Sequence, residues 1–123
     1  MPILLHGTTR YRAERIRVHG PDPDFVEPSG VGRAESFSAY LEQGPFHFGS
    51  PEAYACRKSA DFPDEGGAAI LLVDVPDEII ALAVNEWFPL SQGLIQFDEG
   101  AGLSELLAAW PTLWKNIRPV ECP

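Results

Sequence analysis

Twelve prolines and eleven glycines punctuate a chain of 123 residues. Proline interrupts helix interiors and central strands, and glycine marks turns. The chain is therefore expected to build many short strands and helices rather than a few long ones. Its length suits one domain over residues 1–123. Hydrophobic residues make up 45% and charged residues 22%, a balance that allows a buried core.

Between these breaks the patterns are short. Ile3 to Leu5 reads as a buried strand. Thr8 or Thr9 is placed to cap a helix over residues 9–19, with Thr9, Ala13, Ile16 and Gly20 along one face and the arginines on the other sides. Gly20-Pro21 ends that helix, and residues 21–33 read as a loop. Residues 34–43 fit a short helix or an irregular segment. Phe46-His47-Phe48 reads as a strand with His47 on the face opposite the phenylalanines. Ser50-Pro51 is a strong helix start, and Ala53, Cys56 and Ala60 are expected to face inward.

AAILLVDV, residues 68–75, is the clearest buried strand. DEIIALAVNEW, residues 77–87, is open: Ile80, Leu82 and Val84 alternate as in a strand, while Ile79, Ile80, Ala83 and Trp87 share a helical face. GLIQF predicts a strand, LSELLAAW an amphipathic helix stopped by Pro111, PTLWKN a further turn, and IRPVE an edge strand. Strands and helices mix without a regular βαβ repeat, which predicts an α+β fold.

The formal charge is −9. Such a chain repels polyphosphate, so general nucleic-acid binding and anionic membranes are expected to be excluded. Arg10, Arg12, Arg15 and Arg17 are four of the nine basic residues, and they read as a solvated helix face with room for a small anion near Arg10. No run approaches the ~18 apolar residues of a membrane span, and the PILL start is too short for a signal peptide. A cytoplasmic protein with Cys56 and Cys122 as reduced thiols is expected. His6, His19 and His47 lack zinc-ligand spacing, so no metal is expected. Glycine-rich dinucleotide and phosphate loops, HExxH and GxSxG are all missing from the sequence.

What remains is an ordered set of short motifs. A strand ends in Leu4-Leu5-His6-Gly7-Thr8, and a helix follows with Ala13, Ile16 and a closing Gly20. Some forty residues on, Phe46-His47-Phe48-Gly49-Ser50 runs into a helix carrying Ala53. This order resembles the ADP-ribosyltransferase superfamily over roughly residues 3–76. The resemblance implies a split antiparallel sheet with short helices and NAD as substrate. It implies that His6 bonds a ribose hydroxyl and that the Gly7 backbone holds the nicotinamide amide. It places His47 where the family has a stacking tyrosine. Asn85-Glu86-Trp87 resembles the stretch carrying the family's glutamate, so Glu86 is the candidate that stabilises the oxocarbenium-like transition state, with Gln96 and Glu99 as substitutes. Thr8, Arg10 and Ser50 complete the cofactor-binding candidates, although Ser50 is first a helix cap.

The function implied is transfer of ADP-ribose from NAD to a protein or small-molecule acceptor. A catalytically inactive relative serving as an interaction module is one alternative. An RNA 2'-phosphotransferase-like enzyme is the other, suggested by histidine at both sites.

Overall fold

The computed structural model describes residues 2–21, 37–42, 44, 49–83, 94–97 and 101–123. Its elements are β1 (Ile3–Thr9), α1 (Arg10–His19), β2 (Phe37–Leu41), α2 (Pro51–Asp61), β3 (Ala68–Asp74), α3 (Asp77–Ala83), β4 (Leu94–Phe97), α4 (Ala101–Ala109) and β5 (Lys115–Pro119), with a 3-10 turn at Trp110–Thr112 before β5. The fold is α+β. The five strands join in one sheet of order β4-β2-β1-β3-β5, antiparallel throughout.

Register and alternation sort the side chains. Leu4 opposes Val73 and Leu41, Leu71 opposes Ile117, and Phe37 opposes Phe97. These residues share one face, which α1, α3, α4 and the 3-10 turn cover through Ala13, Ile80, Leu106 and Trp110. The main core lies there. The other face, with Leu5, Gly7, Tyr40 and Ile70, carries α2.

Helix α1 starts and stops as its sequence predicts. The Thr9 hydroxyl accepts from the Arg12 amide at 3.2 Å. Gly20 closes the helix at φ 85°, and its amide donates to the Ile16 carbonyl at 2.8 Å. A Cβ at Gly20 would also press Leu107 and Trp110 at 3.3 Å. Trp110 Nε1 donates to the Arg17 carbonyl at 3.1 Å, satisfying a group the helix end leaves without an intrahelical partner.

Several expectations are corrected. Residues 37–41 are neither helix nor irregular: they form β2, whose Phe37 and Ala39 alternate inward. The inward face of α2 is Pro51, Ala55 and Lys58 rather than Ala53, Cys56 and Ala60, because the backbone at Pro51 and Ala55 is what seats against Gly7. Arg12 is not solvated; it is 4% exposed. Its Nε donates to Glu65 Oε1 at 2.7 Å, and its guanidinium lies 4.1 Å over the Phe62 ring. A planar, paired guanidinium tolerates burial that an unpaired charge does not. Cys56 and Cys122 are not reduced thiols; they form a disulfide spanning 66 residues.

Residues 77–83 take the helical alternative, with Ile80 and Ala83 buried and Leu82 exposed. The strand alternation that would have aligned Glu86 with Ile80 and Leu82 is therefore not formed. Glu86 itself lies outside the described residues, as do His47 with its expected Phe46–Phe48 strand, and Glu99. Strands β3 and β4 fall where the sequence puts them, whereas β5 starts earlier, at Lys115, because Lys115 and Asn116 pair with Val73 and Leu72 instead of extending the turn after α4. No helix among the described residues is long and apolar enough to cross a membrane.

Candidate functional site

The site is built on the way β1 leaves β2. Ile3 receives the Glu42 amide on its carbonyl at 3.0 Å, and the last opposed pair of the two strands is Leu5 and Tyr40. Backbone groups of a strand point alternately to its two neighbours. Those of Ile3, Leu5 and Gly7 point toward β2, while the Pro2 carbonyl accepts from Val75 and the Arg10 amide donates to Gly67, both on the β3 side. A continued register would set Ser38 opposite Gly7. That rung is missing: β1 stays paired with β3 through Thr9, but its pairing with β2 ends at Leu5.

His6 explains where the Ser38 carbonyl goes. Its Nδ1 lies 2.6 Å from that oxygen. A carbonyl only accepts, so Nδ1 carries the proton. The ring stacks on Phe37, with centroids 4.6 Å apart and planes at 27°. The imidazole thus donates to the Ser38 carbonyl where β1 and β2 no longer pair, and is itself half-buried. Gly7 is buried, and its N–H and C=O lie on the β2 side of β1, beyond the last opposed pair of the two strands.

Gly7 is required for a reason other than ligand access. A Cβ there would lie 2.2 Å from the Pro51 carbonyl oxygen and 3.0 Å from the Ala55 nitrogen. Both are backbone atoms of α2, which no side-chain rotation moves aside. Glycine therefore lets the first turn of α2 seat directly on β1. One residue fixes the helix on one side of the strand and lends its backbone to the gap along the strand edge.

The remaining candidates have structural duties. Thr8 is 2% exposed and opposes Ala69 in the sheet. Arg10 opens α1; its side chain is largely exposed and pairs with Glu14 at 3.6 Å. The first α1 amides donate to Gly67, Glu65 and Thr9, at 2.8, 2.9 and 3.2 Å. The helix start is thus closed by the 62–67 turn. Ser50 caps α2, its Oγ accepting from the Ala53 amide at 3.1 Å. Gln96 sits on β4 opposite Ser38, one strand away from the gap.

Sequence reasoning missed three groups. Ser38 and Phe37 complete the His6 arrangement, and the alternation in FSAYL was the signal that could have placed them on a strand. Tyr40 is buried on the α2 side, and burial, reinforced by Tyr54 and opposed by Arg57, raises its hydroxyl above the ordinary value. Glu65 is the third. Burial pushes its carboxyl up, but hydrogen bonds from Arg12 and Thr9 and the charges of Arg12 and Lys58 outweigh it, holding the group below its ordinary value.

Among the described residues no cluster of histidine, cysteine or carboxylate side chains is arranged to hold a metal ion. Comparison with protein families, characterised proteins and solved structures returned no match.

Proposed function

We propose that this chain binds NAD at the gap between β1 and β2 and transfers its ADP-ribose to a protein or small-molecule acceptor. One observation carries the reading: the Gly7–Ser38 rung is missing, and the His6 imidazole stands in for it. Donor and acceptor on one glycine suit a planar carboxamide, which offers the complementary pair. An imidazole beside them suits a ribose hydroxyl. The resemblance to ADP-ribosyltransferases assigns the same two residues to the same two parts of NAD.

Loss of nicotinamide leaves positive charge on the ribose, which a carboxylate placed beneath it stabilises. Glu86 is the residue we assign, with Gln96 and Glu99 as substitutes, and His47 as the group that stacks on the nicotinamide. Thr8, Arg10 and Ser50 already serve the fold, so the direct contacts fall to His6 and Gly7. The protein is taken to act in the cytoplasm, away from membranes and general nucleic acid.

A second reading has its own observation. Helix α3 removes the strand register that would have aimed Glu86, which favours an ADP-ribosyltransferase-like module that no longer transfers. Calorimetry with NAD, followed by a nicotinamide-release assay, separates the two. Heat with release supports transfer. Heat without release moves the chain to the second reading, and no heat at millimolar NAD overturns the NAD site.

A further inference from the structure

We propose that the Cys56–Cys122 disulfide is a redox-controlled strap that holds α2 against β1, so that reduction loosens the glycine edge beside the gap. The bond is placed to do this. Glu52 and Cys56 are four residues apart and share a stripe of α2. Glu52 meets Arg118 of β5 at 3.4 Å, and Cys56 is bonded to Cys122 in the segment that follows β5. The chain beyond β5 therefore crosses to α2 and ties the helix down along the same stripe that Arg118 meets.

Among the described residues, what else holds α2 is its packing on β1 and β3. Its buried residues are Pro51, Ala55 and Lys58: two small side chains and one whose amine must be kept satisfied. The Arg118–Glu52 pair is about half exposed on both partners, and such pairs contribute little. What α2 positions, however, is demanding. Its first-turn backbone occupies the space a Gly7 side chain would need, so a small outward shift of α2 changes the surroundings of Gly7 directly.

The bond is also reachable. Cys122 is exposed in the last residues of the chain, and Cys56 is half-buried. A dithiol's thiolate attacks the Cys122 sulfur, and Cys56 leaves as a thiolate that takes up a proton. The second thiol of the dithiol then displaces Cys122. The protein gains two electrons and two protons while the dithiol becomes a disulfide. In a reducing compartment, disulfides of this reachable kind serve as transient switches more often than as permanent staples.

The proposal rests on the NAD reading only for its effect on ligand, and amide exchange tests it without NAD. The full chain is compared oxidised and after dithiothreitol, with mass measurement showing both thiols free. Exchange in peptides covering residues 51–61 and 3–9 is expected to quicken about tenfold or more, with the strands of β3 unchanged. Cys122→Ser, untreated, is expected to match the reduced protein. Unchanged exchange at residues 51–61, or a response there that leaves residues 3–9 untouched, overturns the strap. Global unfolding on reduction overturns it as well, since the bond is then a condition of the fold. If exchange responds as expected but neither form binds NAD, the ligand reading fails and the strap stands.

Discussion

The Nδ1–H of His6 donates to the Ser38 carbonyl across the point where β1 and β2 stop pairing, at 2.6 Å. A side chain thereby does the work of a backbone rung. The carbonyl is satisfied, the ring is fixed on Phe37, and the next residue along β1 is the buried Gly7, past the last β1–β2 pair.

His6→Ala leaves the Ser38 carbonyl without that donor and Phe37 without its stacked ring. Stability is expected to fall by about 1–3 kcal/mol, the usual cost of an unmet partly buried hydrogen bond. Urea unfolding measures this, and an unchanged midpoint would show that the ring is not holding the strands. NAD affinity should fall in the same variant by a similar amount.

Gly7→Ala places a methyl group against α2 backbone only 2.2 Å away. The helix must move or the strand must bend, at a cost of roughly 1–3 kcal/mol. A variant as stable as the parent would mean that α2 slides freely on β1. A crystal structure of the variant would show the displacement directly at Pro51.

Glu65 predicts acid sensitivity. Its carboxyl is held below the ordinary value of 4.5 in the fold, so the unfolded chain takes up the proton first as pH falls. The stabilisation is complete above the unfolded value and is lost as pH drops through the folded one. Unfolding midpoints for the parent should therefore decline below about pH 4.5. Glu65→Gln should be less stable at neutral pH and should decline less steeply in that window. Parallel curves for the two proteins would rule out the Arg12–Glu65–Thr9 cluster as the source.

Glu86→Gln tests transfer apart from binding. If Glu86 faces the ribosyl cation, nicotinamide release is expected to fall by about a hundredfold or more, the usual effect of removing one transition-state contact. NAD binding by calorimetry should hold. Full release in the variant would transfer the role to Gln96 or Glu99.

Much of the scaffold is legible in local chemistry. Thr9 and Gly20 bracket α1, Ser50-Pro51 starts α2, and AAILLVD reads directly as a buried strand because these signals act within a few residues. What escaped depends on partners far along the chain. Arg12 is buried only because Glu65, from the turn after α2, meets it. Cys56 is paired only because β5 brings Cys122 across the sheet. Residues 77–83 satisfy strand and helix patterns equally, and α3 is settled by packing on α4. At the site, the sequence singles out His6-Gly7 but not the structural reason for the glycine. Nothing in HGTT says that a helix backbone would come to rest on Gly7.

The aromatic contacts running from the gap into the core give the molecule an internal optical probe. His6 stacks on Phe37, and Phe37 meets the edge of Trp110 with centroids 6.1 Å apart. Trp110 is 2% exposed, whereas Trp114 is 52% exposed, so an added quencher reaches the second and spares the first. In a Trp87→Phe variant under such quenching, the remaining emission reports a ring two contacts away from His6. Turning of the imidazole by a bound ligand would thus be readable as light, with no label attached to the protein.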